Sequence, residues 1–294
     1  MGDLSEGIPF ATKHLHDGAK YVKIGNTLYP APHISGPEDV LKLAPGQEFI
    51  RVLGRQMGRV VVENDMSFVS KFGISVKSTE ADAMKIAFKH CPSLAPEMYY
   101  ARFWPDHGHI EMGLVSGERL ELKWDSLDDE TKESVCRQTW DFVNQLRAIP
   151  CPPEFKGLAQ STVDGSPTLD VFFEDLQDPP RPLKTDQDVR DRIYERYLHF
   201  AGRRYEHELP DMLPRSSQMV FTHADIAPRN IMVDDAGKVT GIVDWEAAGW
   251  YPDYWEYAQI LRPSLRGDWP KWMEKTAPRK WDLSGINAAR RVLF

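Results

Sequence analysis

The chain has little cysteine, and its cysteines form no pattern that would hold a metal or a disulfide framework. Its 294 residues include three cysteines, Cys91, Cys136 and Cys151, which lie far apart. None belongs to a CxxC pair, so a zinc knuckle is not supported, and an odd number of cysteines does not favour a set of paired disulfides. We therefore expect a protein of a reducing compartment.

Long apolar runs are also missing, and positive charge is in the minority. No stretch approaches the roughly 18 apolar residues of a membrane span, and the first residues lack the apolar core of a signal peptide. Lysine and arginine number 36 against 44 aspartates and glutamates, which gives a formal charge of −8. This excess of acid disfavours nucleic acid and anionic membranes as partners. We expect a soluble, cytoplasmic protein that binds neither.

Several catalytic motifs are absent as well. The chain has neither a GxxxxGK[ST] phosphate loop nor a GxSxG nucleophile elbow. The triplet His223-Ala224-Asp225 has the H-x-D pattern of iron(II) oxygenases, but such a site needs another histidine. None of the nine histidines follows Asp225. The oxygenase hypothesis is therefore excluded.

The residues that are present indicate two regions of different secondary structure. Hydrophobic residues make up 41% of the chain, and its length fits one large domain or two lobes. Residues 1–45 are punctuated by proline without a clear period, so we treat them as an N-terminal extension. Residues 46–112 contain short β-branched and aromatic runs and one helix near 78–88, which predicts a β-rich N-lobe. Residues 113–294 are predicted to form a larger, mostly helical C-lobe.

Within these regions the patterns predict particular elements. Strands are expected near 97–103 and 109–114. Apolar residues at helical spacing predict helices over 131–148 and 186–201, and Thr185 with Asp188 resembles a capping box at the start of the second helix. The segment between these helices, rich in proline, glycine, serine and aspartate, is expected to be a long ordered loop.

One stretch of the C-lobe brings polar side chains together. Two apolar strands, 231–233 and 239–243, are joined by an Asp-Asp-Ala-Gly-Lys turn and therefore predict a hairpin. Because a hairpin returns the chain to its starting point, Asn230 and Asp244 should lie side by side. Asp225 precedes Asn230 on the loop leading in. Oxygen ligands of this kind suit Mg²⁺, particularly when substrate phosphates complete its coordination.

These residues carry a resemblance to a known family. His223-Ala224-Asp225 followed by Asn230, and then Ile242-Val243-Asp244-Trp245-Glu246, resembles the catalytic and metal loops of the aminoglycoside phosphotransferase and choline kinase-like family. The following segment, 249–256, resembles that of fungal members. The resemblance implies an α+β, two-lobed protein-kinase-like fold. It also implies Mg²⁺-dependent transfer of the γ-phosphate of ATP or GTP to a hydroxyl of a small molecule.

The resemblance also implies roles for single residues. Asp225 would orient or deprotonate the acceptor hydroxyl, while Asn230 and Asp244 would hold Mg²⁺. Lys71 matches the third-strand lysine that contacts the nucleotide phosphates, and Glu80 matches the acid that pairs with this lysine. A separate segment, at the expected hinge, would offer backbone groups to the nucleotide base and contains Met112, Gly113 and Leu114.

One residue departs from the family pattern, and two assignments have a competing interpretation. Ala224 replaces the usual glycine, a substitution that is costly if the backbone there has a positive φ. Lys77 could compete with Lys71, and His223 is expected to brace the catalytic loop rather than act as a base. Ala224 and a weak glycine-rich loop, indicated by Gly54 and Gly58 alone, keep a nucleotide-binding module without turnover, a pseudokinase, as the alternative hypothesis.

The charge of the acceptor also stays open. Glu246, Asp253 and Glu256 could form an acidic patch for a cationic acceptor, or they could be solvated or structural. The aromatic residues around them are expected to pack in the core rather than to form a ligand cage; they are Trp245, Trp250, Tyr251, Tyr254 and Trp255.

Overall fold

The fold is known from a computed structural model. It describes residues 8–9, 14–31, 43–56, 58–168, 170–263, 265 and 267–294. The chain forms two compact units. The first comprises Met1–Ala81 and Pro96–Leu114, and the second comprises Asp82–Ala95 and Val115–Phe294. The predicted lobes, 46–112 and 113–294, are close to these units but not the same, because residues 82–95 belong to the second unit.

The first unit is built on one antiparallel sheet. Its strand order is β1-β3-β2-β4-β5-β6-β8-β7. The strands are β1 (Ile8–Pro9), β2 (Lys20–Ile24), β3 (Thr27–Pro30), β4 (Gln47–Gln56), β5 (Arg59–Asn64), β6 (Phe68–Gly73), β7 (Met98–Phe103) and β8 (Gly108–Gly113). The strands expected near 97–103 and 109–114 are confirmed. Helix α1 (Ser78–His90) follows β6 and continues into the second unit.

The sheet extends further toward the N-terminus than the sequence indicated. β2 pairs with β4, and β3 pairs with β2. Leu15, Tyr21 and Leu28 are buried in one cluster with side chains of β4 and β5. The segment that we treated as an extension, 1–45, thus contributes to the core of this unit. Its residues 1–7, 10–13 and 32–42 lie outside the described part of the chain.

The second unit contains most of the helices and two small sheets. Its helices are α2 (Leu120–Lys123), α3 (Asp129–Arg147), α4 (Asp186–His199), α5 (Leu209–Met212), α6 (Trp255–Ile260), α7 (Trp269–Thr276) and α8 (Ser284–Leu293). The strands are β9 (Glu118–Arg119), β10 (Ser161–Thr162), β11 (Met219–Thr222), β12 (Ile231–Val233), β13 (Val239–Ile242) and β14 (Gly249–Pro252). They form two sheets, with the orders β10-β14-β11 and β13-β12-β9. Together the two units have an α+β composition.

The predicted helices are confirmed. α3 buries Val135, Phe142 and Leu146 along one face, as the apolar spacing indicated. Helix α4 begins with the predicted capping box: the Thr185 hydroxyl accepts from the Asp188 backbone N–H, and the Asp188 carboxylate accepts from the Thr185 N–H. These two bonds satisfy donors that would otherwise lack partners at the helix start.

Aromatic side chains form the core around β11 and β14. Trp245 is in edge contact with Phe142, with ring centroids 6.1 Å apart, and Trp255 lies 4.4 Å from Phe173. The five aromatic residues that follow the metal loop are buried: Trp245, Trp250, Tyr251, Tyr254 and Trp255. They are packing residues, as predicted, and the loop between β11 and β12 rests on this core. Within the described ranges, no helix is both long and apolar enough to span a bilayer.

The burial of Leu28 predicts that the β2–β3 hairpin stabilises the first unit. Leu28 is fully buried, so Leu28→Ala should lower the free energy of unfolding by about 2–5 kcal/mol through lost burial and the cavity left behind. Urea denaturation measures the change. Ile24→Ala, in the same hairpin but 44% exposed, is the control and should change stability little. Equal stability of Leu28→Ala and wild type would show that the hairpin is not part of the cooperative core.

Candidate active site

The loop between β11 and β12 carries the predicted catalytic residues. It begins at His223 after β11 and ends in a short 3₁₀ turn, Pro228–Asn230. β12 and β13 pair as an antiparallel hairpin with Ile231 opposite Ile242. The backbone N–H of Val243 donates to the carbonyl of Asn230 at 2.9 Å. The predicted hairpin is therefore confirmed, and it brings Asn230 next to the residue that precedes Asp244.

Asp225 lies against Asn230. The Asn230 Nδ2 donates to the Asp225 backbone carbonyl and to its Oδ2, both at 2.8 Å. Because the amide nitrogen is directed to Asp225, the amide oxygen of Asn230 points the other way. Asp244 lies at the same end of the hairpin, because the residue before it, Val243, is hydrogen-bonded to Asn230. The structure thus brings together the three residues that the sequence predicted to meet.

Two arginines that the sequence analysis missed also bind Asp225. The Arg229 Nη2 donates to both carboxylate oxygens at 2.7 Å, and the Arg262 Nη2 donates to Oδ1 at 2.7 Å. Arg229 follows Asp225 by four residues, a spacing that could have been noticed within the loop. Arg262 lies beyond α6, 37 positions along the chain, and no local pattern connects it to the loop.

His223 braces the loop, as expected. Its ring is completely buried. The Asp225 backbone N–H donates to its Nδ1 at 3.2 Å, and its Nε2 lies 3.2 Å from the carbonyl of Val243. Nδ1 is therefore the acceptor and Nε2 the donor, which is the pattern of a neutral imidazole. Burial lowers the pKa of His223, which favours the same neutral form.

Glu256 is a buried residue that holds the backbone of the catalytic loop, and it does not form an acidic surface. Its Oε2 accepts the backbone N–H groups of His223 at 2.7 Å and Ala224 at 3.3 Å. Burial raises the pKa of Glu256 to about 7, although these two N–H groups act in the opposite direction. Asp253 is also buried; it accepts from Arg279 at 3.0 Å and from Ser216 at 2.9 Å. Two of the three residues of the suggested acidic patch therefore have structural roles.

Two residues of the site have a left-handed backbone conformation. Ala224 has a φ of 65° and Asp244 has a φ of 69°. The concern about Ala224 is confirmed, because glycine adopts this conformation without the steric penalty that a β-carbon brings. The strain at Ala224 is offset by its backbone hydrogen bonds to Glu256.

Lys71 and Glu80 meet in the first unit. Lys71 lies on β6, Glu80 lies in the first turn of α1, and the Lys71 Nζ donates to Glu80 Oε1 at 2.6 Å. Their side chains are 4% and 2% exposed. Lys77, the suggested competitor, is exposed and donates to the carbonyl of Ile74. The structure therefore pairs Glu80 with Lys71.

The predicted hinge residues lie at the end of β8. Met112 is buried, opposite Val69 of β6. The backbone N–H of Gly113 donates to the carbonyl of Glu97 at 2.8 Å, so this donor is already engaged within the first unit. Leu114 follows the strand as the last residue of that unit. Their contact with a nucleotide base stays a prediction.

The residues around Asn230 fit a magnesium ion in donor chemistry. The Asn230 amide oxygen and the Asp244 carboxylate are hard oxygen donors, and the Asn230 Nδ2 is bonded to Asp225, so the amide oxygen is the atom that could hold the ion. Among the described residues, no three His, Cys, Asp or Glu side chains cluster as a metal site. A Mg²⁺ ion here would thus take most of its ligands from phosphate oxygens and water, as it commonly does.

The chain resembles a family of transferases in sequence. Residues 80–279 match the model of APH, the phosphotransferase enzyme family. That segment is more than half of the chain and contains Glu80, the catalytic loop and Arg262. The chain belongs to this family. Among curated protein sequences, none is found to match it.

Solved structures share the fold of this phosphotransferase family member. One is APH(2'')-IIia, solved as its complex with GDP and kanamycin, with a TM-score of 0.52, 17% identity and coverage of 82% of this chain and 80% of that one. Another is the aminoglycoside phosphotransferase APH(2'')-Ib with ADP bound, with a TM-score of 0.50, 12% identity and coverage of 83% and 80%. At such identities the similarity shows the fold alone. The predicted protein-kinase-like fold is confirmed, and the fungal-type assignment stays a prediction.

The conformation of Ala224 leads to a stability prediction. Ala224→Gly removes a β-carbon that is strained at positive φ, whereas Ala227→Gly removes an equally buried methyl group at an ordinary φ of −152°. We expect Ala224→Gly to be at least as stable as wild type and about 1 kcal/mol more stable than Ala227→Gly. Chemical denaturation compares the three proteins. Equal losses in both variants would contradict the proposed strain.

The buried carboxyl of Glu256 leads to a prediction about pH. Its folded pKa of about 7 lies above its ordinary value of 4.5. The folded state therefore holds its proton more tightly, and its contribution to stability is greatest below pH 4.5 and is lost as the pH rises to 7. The loss is about 3 kcal/mol for a fully buried group. Glu256→Gln cannot titrate and should lack this part of the pH dependence, measured by urea denaturation from pH 4.5 to 8. Parallel pH profiles of the variant and wild type would refute the assignment.

Proposed function

We propose that this chain is a small-molecule kinase that transfers the γ-phosphate of ATP or GTP to a hydroxyl group in the presence of Mg²⁺. The observation that carries the proposal is the convergence of Asp225, Asn230 and the start of the metal loop at the mouth of one hairpin. Membership of the phosphotransferase family supports it. Phosphoryl transfer needs mainly positioning and neutralisation of charge, and this group of residues supplies both.

Asp225 would act on the acceptor. Its carboxylate would accept a hydrogen bond from the acceptor hydroxyl and would take the proton as the oxygen attacks the γ-phosphorus. The new bond forms between that oxygen and the γ-phosphorus. The bond from the γ-phosphorus to the bridging oxygen breaks, and the nucleoside diphosphate leaves. Asn230 and His223 would keep the Asp225 carboxylate and backbone in position through the contacts described above.

Lys71 would bind the phosphates of the nucleotide. Glu80 holds its ammonium group in a buried environment, where a fixed positive charge interacts more strongly with phosphate than it would in water. Asn230 and Asp244 would hold Mg²⁺, which when bound would neutralise charge on the phosphate oxygens. Met112, Gly113 and Leu114 are proposed to flank the nucleotide base.

We also propose that the protein works in the cytoplasm. Cys91, Cys136 and Cys151 are free thiols, and free thiols together with a nucleoside triphosphate as co-substrate suit a reducing compartment. The charge of the chain makes small molecules, rather than nucleic acid, the expected partners.

One observation favours the alternative of a nucleotide-binding module without turnover. The carboxylate of Asp225 already accepts hydrogen bonds from two arginines and one asparagine. A kinase whose catalytic carboxylate could not release any of these donors would bind nucleotide without transferring phosphate. The experiment below separates the two functions.

Substitutions at Asp244 and Asp225 test the proposal. Asp244→Ala should abolish the Mg²⁺-dependent part of ATP or GTP binding, measured by isothermal titration calorimetry. Asp225→Ala should retain this binding while lowering kcat for ADP release about 10²- to 10⁴-fold, because it removes the base but no metal ligand. Asp235→Ala, at the exposed turn of the same hairpin, is the control.

The outcomes distinguish the functions. Wild-type phosphoryl transfer by Asp225→Ala would show that the roles are assigned wrongly. Nucleotide binding without ADP release on any hydroxyl compound would favour the module without turnover. If neither ATP nor GTP binds with Mg²⁺, the kinase proposal fails.

A further inference from the structure

The carboxylate of Asp225 has no acceptor position left. An ionised carboxylate offers about four lone-pair sites. The Oδ1 atom accepts from Arg229 and Arg262, and the Oδ2 atom accepts from Arg229 and Asn230, with all four distances between 2.7 and 2.8 Å. An acceptor hydroxyl therefore cannot hydrogen-bond to Asp225 until one of these donors moves away.

An arginine is the donor that can leave. Asn230 is buried and is held by a second bond to the Asp225 carbonyl, so its displacement would also disturb the metal loop. The side chains of Arg229 and Arg262 are 37% and 16% exposed. Among the described residues, Asp225 is the acidic side chain that forms an ion pair with each of these two arginines. A guanidinium that leaves Asp225 therefore loses its anionic partner.

The surroundings of Arg262 would not supply a replacement. Asp170 is a further acid that interacts electrostatically with Arg262, but its carboxylate already accepts from the Phe172 N–H and the Gln259 amide. Arg290, which is half-buried like Arg262, also interacts with Asp170. Arg262 and Arg290 therefore share this one carboxylate.

We propose that the acceptor of this kinase carries an oxyanion, a carboxylate or a phosphate, beside the hydroxyl that is phosphorylated, and that Arg229 and Arg262 bind this oxyanion. This inference rests on the proposed function. The incoming oxyanion takes over a guanidinium from Asp225 and at the same time frees a lone pair for the hydroxyl. Guanidinium groups match carboxylates and phosphates geometrically, since they can donate two parallel hydrogen bonds.

A positively charged acceptor fits the site poorly. Of the three residues of the acidic patch suggested for a cation, Asp253 and Glu256 are buried in structural hydrogen bonds. Glu246 is the exposed member of the three. A cationic acceptor beside Asp225 would lie close to two guanidinium groups, and like charges at such distances repel strongly when partly buried.

A panel of acceptors tests the charge directly. Release of the nucleoside diphosphate is measured with Mg²⁺ and with ATP and GTP in parallel, for equal numbers of hydroxy acids, phosphorylated polyols, neutral polyols and amino alcohols. Gluconate, sorbitol 6-phosphate, sorbitol and glucamine form a set with the same carbon skeleton. We expect turnover among the hydroxy acids or the phosphorylated polyols, and the arm that responds identifies the oxyanion. Stronger turnover with neutral or amino compounds, or no anionic compound above the rate in buffer, would overturn the inference.

Variants of the two arginines test the residues. For the best anionic acceptor, Arg262→Gln and Arg229→Gln should each raise KM at least tenfold while KM for ATP stays unchanged. Arg262→Lys, which keeps the charge, should recover part of the loss. The control is Arg137→Gln, which removes a positive charge from an exposed pair with Glu133 in the same unit. If the arginines only orient Asp225, kcat will fall equally for the anionic acceptor and its neutral analogue, with no selective rise in KM.

The result also separates this inference from the proposed function. Failure to bind Mg²⁺ with ATP or GTP would refute the kinase itself. Binding of the nucleotide together with transfer to neutral or cationic acceptors alone would leave the kinase intact and refute the choice of an anionic acceptor. Binding without transfer to any compound would refute the inference and support the module without turnover.

Discussion

The candidate site depends on the buried carboxylate of Glu256. Glu256, at the start of α6, accepts the backbone N–H groups of His223 and Ala224 and so fixes the beginning of the catalytic loop to the aromatic core of the second unit. Without this acceptor, two buried N–H groups would lack partners, at a cost of about 1–3 kcal/mol each. The same contacts hold Ala224 in its left-handed conformation, which directs the chain toward Asp225. A buried acid is therefore used to shape backbone rather than to bind a ligand.

Asp225 shows how positioning and availability oppose each other. Two guanidinium groups and one amide hold its carboxylate in a single orientation, and such order is what a catalytic base requires. The same donors occupy every position at which a hydroxyl could bind. An acceptor that brings its own anion would resolve this conflict, because it offers the arginines a new partner when they release Asp225. Selection of the acceptor and activation of the base would then be one event.

The Lys71–Glu80 pair presents a related balance in the first unit. Burying two opposite charges is costly, and removing one partner of such a pair typically destabilises a protein by about 3–5 kcal/mol. A polar pair of this kind contributes little net stability compared with apolar packing at the same place. Under the proposed function, the pair would fix an ammonium group on β6 that interacts with phosphate. Both units thus contain charged side chains in buried surroundings. Burial fixes the positions of these side chains but adds little to the stability of the protein.

Much of this arrangement could be predicted from local patterns, because it depends on residues close together in the chain. The turn between β12 and β13 brings the ends of the hairpin together, and so determines that Asn230 lies near Asp244. Apolar spacing determined α3 and α4, and the hydroxyl of Thr185 determined where α4 begins. The contact of Lys71 with Glu80 spans nine positions and was expected from the resemblance to the phosphotransferase family.

Only the tertiary structure decided the groups that surround the catalytic carboxylate. Arg262 reaches Asp225 across 37 positions and Glu256 reaches His223 across 33, and neither contact leaves a periodic or spaced pattern in the sequence. The same is true of the β2–β3 hairpin. Its sequence shows no clear period, and it forms part of the sheet because β2 pairs with β4. The sequence by itself predicted which residues would carry the chemistry. The packing of distant segments decided their charge environment, because electrostatic contacts depend on distance in space and not on separation along the chain.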